Sequence, residues 1–239
     1  MSGTTTERRG PVGRFAAVPV TRVHLLLMLA LTFGTGVIDA VGYLGLDRVF
    51  TGNMTGNVVI LGMAIVGADD LPILGPVVAL LGFMAGAALA GRTLRSTGEA
   101  WGGRSSLLLG LVAVLMLGCA AGLAVVDDPD HVTAAVVTTV LGLAMGVQAA
   151  AARVVAVKDV TTVVVTSTLT GLASDSALGA GKPGSSARRV AAVVLILLGA
   201  AAGALALKHS LVLGLVLSGV LVTLVAVVGE VHRRLQPRD

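Results

Sequence analysis

Long apolar runs separated by short polar stretches divide this chain from residue 23 onward. Six of them, at 23–46, 71–90, 106–126, 132–152, 190–207 and 211–229, are close to the about 20 residues that a helix needs to cross a bilayer. The runs are continuous and do not alternate apolar with polar at every second residue, which excludes a transmembrane β-barrel. The pattern predicts an all-α integral membrane protein with six transmembrane helices. Two further stretches, 49–68 and 160–180, are apolar but carry clusters of Thr, Ser, Asn and Asp. By length alone each either spans the membrane or enters it and returns.

Composition supports the membrane reading. Hydrophobic residues make up 55% of the 239 and charged residues 13%, with a mean hydropathy of +0.95, whereas a soluble domain carries about 25% charge. Residues 1–22 are polar and hold Arg8, Arg9, Arg14 and Arg22. The stretch 23–31 would suit a signal-peptide core, but the run continues to Leu46, so a basic cytoplasmic tail ahead of a first span is the simpler account. The expected organisation is that tail, one transmembrane domain over 23–229 with halves at 23–126 and 132–229, and a cytoplasmic tail over 230–239. Cys119 is the single cysteine, and the histidines at 24, 131, 209 and 232 have no ligand spacing. No disulfide, metal or cofactor is expected.

Charge places the two uncertain stretches. If both are re-entrant and the N-terminus is cytoplasmic, 15 of the 17 Lys and Arg residues fall inside, and only Arg48 and Lys208 fall outside. If both cross, the split becomes 10 to 7. Lys and Arg bias orients membrane proteins, so the expected topology has six spans and two re-entrant half-helix segments. The net charge of +4 is then a topology signal, and no nucleic-acid partner is implied.

The halves also resemble each other. T-G-N-M-T-G at 51–56 matches T-S-T-L-T-G at 166–171, an offset of 115. L-L-G-F-M-A-G-A at 80–87 matches L-L-G-A-A-A-G-A at 197–204 with an offset of 117, and L-L-L-G-L-V at 107–112 matches L-V-L-G-L-V at 211–216 with an offset of 104. With three spans per half, the second half enters from the opposite face. This is the inverted-topology repeat of many secondary transporters, whose sites lie at mid-membrane between broken helices.

Polar groups at membrane depth mark the candidate site. Asp39 lies in the first run, and F-T-G-N-M-T-G-N follows at 50–57. Thr51 and Asn53 suit the cap of a helix from Met54 onward, and Thr166 or Ser167 the cap of a second half-helix. Two helix starts at mid-membrane present free N–H groups to an anionic or polar ligand. Asn53 and Asn57 share a helix face at i and i+4. Gln148 is placed as the counterpart of Asp39. The substrate-binding candidates are thus Asp39, Thr51, Asn53, Thr55, Asn57, Gln148, Thr166 and Thr170.

Each has a plainer reading beside it. Asp39 caps a neighbouring helix or pairs with Arg48, and the 166–170 threonines bond back to their own helix carbonyls. The G-x-x-x-G pairs at 82/86, 118/122, 142/146 and 199/203 let spans pack closely, with homo-oligomer contact as the second use. Tyr43 and Trp101 suit interfacial anchoring. No G-x-S-x-G, H-E-x-x-H or P-loop is present, and Asp159 and Asp175 lack the context of an aspartyl dyad, so no enzyme is expected.

The run G-x-x-D-A-x-x-x-L around Asp39, followed by F-T-G-N-M-T-G-N-V-V-x-L-G from Phe50 to Gly62, resembles the YoaK family of bacterial membrane proteins, over about residues 24–230. The resemblance implies a multi-pass protein of the bacterial cell membrane and names no substrate. The functional expectation is a permease for a small solute, proton-coupled through Asp39. The alternatives are a passive channel lined by two half-helices and a non-transporting scaffold.

Overall fold

The computed structural model describes residues 11–95, 101–126, 130–155, 157, 165–176, 178–181 and 186–237. They form nine α-helices: α1 (Pro11–Ala16), α2 (Val20–Gly45), α3 (Met54–Ile65), α4 (Leu74–Leu94), α5 (Gly103–Leu123), α6 (His131–Val155), α7 (Val165–Ser174), α8 (Ser186–Leu207) and α9 (Leu211–Leu235). Six of these, α2, α4, α5, α6, α8 and α9, are long and apolar enough to cross a membrane, so the six expected spans are present. At about 1.5 Å per residue, the 12 residues of α3 and the 10 of α7 reach about 18 and 15 Å. Neither crosses a hydrocarbon core of about 30 Å alone.

Side-chain contacts fix the direction of every long helix. In the α2–α9 pair, Gly34 meets Leu221 and Gly45 meets Leu211, so the two are antiparallel. Helices α5 and α9 are also antiparallel, since Ser106 bonds Glu230 while Gly219 packs on Leu117. The Arg104 guanidinium donates to the Thr93 carbonyl at 3.1 Å, so α4 ends where α5 begins. Helices α4 and α6 run parallel, with Ala79 against Gly142 and Phe83 against Gly146. Helices α2 and α8 are parallel too, with Phe33 against Gly199 and Val37 against Gly203. Thus α2, α5 and α8 point one way and α4, α6 and α9 the other. If the end where α2 finishes is called upper, the segment holding α3 starts and finishes at the upper end. The segment holding α7 starts and finishes at the lower one. The Arg48–Asp69 ion pair of 3.4 Å, between the residues before α3 and those after it, closes the first of these excursions.

Exchange of the halves maps this packing onto itself. The principal helix pairs are α4 with α6, α2 with α8, and α5 with α9, followed by α2 with α9 and α5 with α6. A Cβ on Gly86 would strike the Leu143 carbonyl, and one on Gly199 the Phe33 carbonyl. A Cβ on Gly146 would strike the Phe83 carbonyl, and one on Gly36 the Ile196 carbonyl. These matched contacts relate Phe33 to Leu143 by 110 residues and Gly86 to Gly199 by 113. The sequence match of 80–87 to 197–204, at 117, is therefore displaced by one helical turn. Asp39 corresponds to Ala149, one position from Gln148. Helix faces rich in Gly and Ala repeat every turn, so letter matching slips by four residues where backbone contact does not. The pairs at 82/86, 142/146 and 199/203 are consumed by these crossings, whereas among the described residues nothing approaches a Cβ placed on Gly118 or Gly122.

Two further expectations are revised. Helix α7 begins at Val165, ahead of Thr166 and Ser167, and ends at Ser174, so those two residues are inside the helix and not its cap. Its extended entry at 160–164 lies outside the described residues. Trp101 is no interfacial anchor. It is 4% exposed, stacks on His24 at 5.6 Å, lies against Gly229, and donates its indole N–H to Ser106, which in turn donates to Glu230.

Candidate functional site

Asp39 lies on α2 six residues before the helix ends, and its neighbour in space is the chain break ahead of α3. One carboxylate oxygen, Oδ1, accepts the backbone N–H groups of Thr51 (3.1 Å), Gly52 (2.6 Å) and Asn53 (3.3 Å). The Thr51 hydroxyl reaches the same oxygen at 3.4 Å and the Ile38 carbonyl at 3.3 Å. A negative charge at a helix start is favourable for both reasons in play: the free N–H groups and the positive end of the helix dipole. Gly52 permits the approach, since a Cβ there would press on Met145, Thr35 and Asp39 itself. Asp39 thus closes over the three residues that lead into α3, forming a cap on its approach, and Arg48 pairs with Asp69 instead of with it.

The two asparagines are equally committed. Asn53 is the N-cap of α3, its side-chain oxygen accepting the Gly56 N–H at 3.1 Å. Asn57 is fully buried. Its amide oxygen accepts the Phe50 N–H at 2.9 Å, and its amide nitrogen donates to the Phe50 carbonyl at 2.6 Å. This two-bond clamp satisfies a backbone unit that the break would otherwise leave unpaired. The expectation that Asn57 presents its amide to a ligand is overturned, since both of its amide atoms are spent on Phe50. The N–H groups of Thr51, Gly52 and Asn53 ahead of α3 and of Gly56 within it are likewise taken, by Asp39 and Asn53.

Beside this cap lies a cavity of about 490 Å³. Thr35, Asp39 and Tyr43 line it from α2, Asn53 and Thr55 from the start of α3, and Val165 and Thr166 from the start of α7. The two short helices therefore begin at one cavity and leave toward opposite ends of the bundle. Of the sequence candidates, Asp39, Asn53, Thr55 and Thr166 line this one cavity. Thr51 is buried behind the cap. Thr170 is exposed and donates to the Thr166 carbonyl at 2.9 Å, the back-bond of a helical threonine. Gln148 is buried and donates to the Thr35 hydroxyl at 3.2 Å, while its own amide oxygen has no partner among the described residues. It backs the cavity wall without lining it.

Tyr43, Phe50 and Thr35 were absent from the sequence candidates. Phe50 stacks on Tyr43 with ring centroids 4.8 Å apart, and both rings line the cavity. A signal for two of them existed. Thr35, Asp39 and Tyr43 are four residues apart in sequence, a single stripe on one helix face. Among the described residues no cluster of His, Cys, Asp and Glu would hold a metal ion.

Against known proteins, the chain is 31% identical over 156 residues to the UPF0700 transmembrane protein YoaK of Bacillus subtilis (strain 168), covering 64% of this chain and 67% of that one. No solved structure matches it. Residues 27–228 match the family described as protein of unknown function DUF1275, which takes in α3, α7 and the cavity between them; the chain belongs to this family of multi-pass membrane proteins.

Proposed function

We propose that the protein is a permease that carries a small solute across the bacterial cell membrane through the cavity between α3 and α7. The observation that carries the reading is that two short helices, entering from opposite ends of the bundle, both begin at one cavity lined by a carboxylate. Broken helices meeting at a polar mid-membrane site are a recurrent way of binding a solute that must be reached from both faces in turn. The crosswise pairing of the halves supports an inverted-topology repeat, and rocking of one half against the other would alternate access. Ten described basic residues lie toward the lower end, at Arg14, Arg22, Arg92, Arg95, Arg104, Arg153, Arg188, Arg189, Arg233 and Arg234, against Arg48 and Lys208 at the upper. We place that lower end, with both termini, in the cytoplasm.

Asp39 offers the coupling group. Its Oδ1 is engaged by the cap, so a coupling proton goes to Oδ2. The test is counterflow in proteoliposomes, using solutes first identified by thermal shift on the purified protein. Saturable exchange, accelerated by unlabelled solute on the far side, is expected of a permease. A flux linear in concentration and indifferent to the far side would establish a passive channel instead. Asp39→Asn is expected to remove dependence on a pH gradient.

A further inference from the structure

We propose that the solute held in this cavity is a small organic cation, an ammonium-bearing molecule that fits within about 490 Å³. The inference rests on the permease reading for its biology, but the binding site it describes stands on the following geometry.

The carboxylate is the only formal charge on the described part of the lining. Among the described residues no Lys or Arg lines the cavity. Arg48 is engaged by Asp69, and Arg189 by Asp175. Every hydrogen bond to Asp39 ends on Oδ1. Oδ2 has no hydrogen-bond partner among the described residues, on a side chain that lines the cavity. The donors on Oδ1 leave the charge at Oδ2 without a donor or a countercharge among the described residues, a costly state for a carboxylate at membrane depth, and an ammonium group supplies both.

The rest of the wall suits the same ligand. The Tyr43 side chain stands one helical turn from Asp39 and stacks on Phe50, which puts two aromatic rings on the same cavity wall as the carboxylate. Aromatic faces attract cations within about 6 Å of the ring centre. Thr55 and Thr166 add hydroxyl oxygens that accept further N–H groups. The N–H groups of Thr51, Gly52 and Asn53 just ahead of α3, which would draw an anion if open, are taken by Asp39 Oδ1. An anionic solute would meet a carboxylate with no cation to offset it. At about 490 Å³, the space falls within the range of small-molecule pockets, about 300–1,000 Å³.

The experiment uses three probes of one shape and different charge: benzylammonium, benzyl alcohol and benzoate. Each is titrated calorimetrically into the purified full-length protein in detergent. Benzylammonium is expected to bind at least about tenfold more tightly than the other two, the scale of a charge-assisted hydrogen bond. Asp39→Asn, which keeps an acceptor oxygen for the cap, should abolish the preference. Tyr43→Leu leaves every Asp39 bond in place and should weaken benzylammonium binding about two- to fivefold, so it carries the test if the Asp39 variant does not fold. Benzylammonium binding no tighter than benzoate or benzyl alcohol, or not at all, overturns the proposal. Amine binding without flux in proteoliposomes would overturn the permease reading and leave this site standing. Flux of a neutral or anionic solute without amine binding would do the reverse.

Discussion

Helices α3 and α7 are the matching short elements of the two halves, yet the charged side chains that grip them among the described residues do so at opposite ends. Helix α3 is fixed at its N-terminus by a negative charge, the Asp39 carboxylate under three backbone N–H groups. Helix α7 is fixed at its C-terminus by a positive one. The Arg189 guanidinium donates to the Gly171 carbonyl at 2.6 Å and to Asp175 at 2.8 Å. Each charge has the sign that the helix dipole favours at that end. The consequence is an asymmetry at the cavity. The α3 end of it is held by an acid from a long span, whereas the charged anchor of α7 seen among the described residues is at the far end of that helix. Similar sequences in the two halves have been put to different mechanical use.

That contrast can be broken experimentally, in order of expected effect. Asp39→Ala strips three N–H groups of their acceptor, and unfolding in detergent should show a loss of about 3–5 kcal/mol, since each unpaired buried donor costs about 1–3 kcal/mol. Arg189→Met keeps the length of the side chain but releases the last turn of α7. A smaller loss of about 1–2 kcal/mol is expected, because the ion pair is partly exposed and screened. A larger loss for Arg189→Met than for Asp39→Ala would reverse the comparison. Thr170→Ala removes only a back-bond on an exposed face, and its unfolding midpoint should correspond to a change within about 0.5 kcal/mol.

Much of this is legible in the sequence alone. Apolar run length identified the six spans, because crossing a bilayer imposes a length that no side-chain detail alters. Asn53 as a cap was legible too, since capping is local chemistry. Asn57 was not. Its spacing from Asn53 suggested a shared ligand face, but its amide turns back seven residues to clamp Phe50, and nothing in the helical period encodes that bond. Trp101 misled for a related reason. An aromatic near a run's end reads as an anchor, whereas burial between His24 and Gly229 depends on α2 and α9, distant in sequence. The sequence suits Asp39 both to a ligand group and to a helix cap. Only the direction of its two oxygens separates those uses, one being committed to α3 and the other left to the cavity.

The crosswise pairing of the halves bears on how the chain is made. Helix α2 finishes at Gly45, but its parallel partner α8 begins only at Ser186. At the about 5–20 residues per second of protein synthesis, α2 waits roughly ten to thirty seconds for the face it packs against. During that interval its Gly36 notch is bare. The Asp39 carboxylate is less exposed to this delay, because its cap arrives within 14 residues. The early closure of Asp39 onto the α3 start thus shelters the costliest group of the first span while the nascent chain is still half built. A ribosome stalled after α4 should hold that cap already formed and the α2–α8 seam still open.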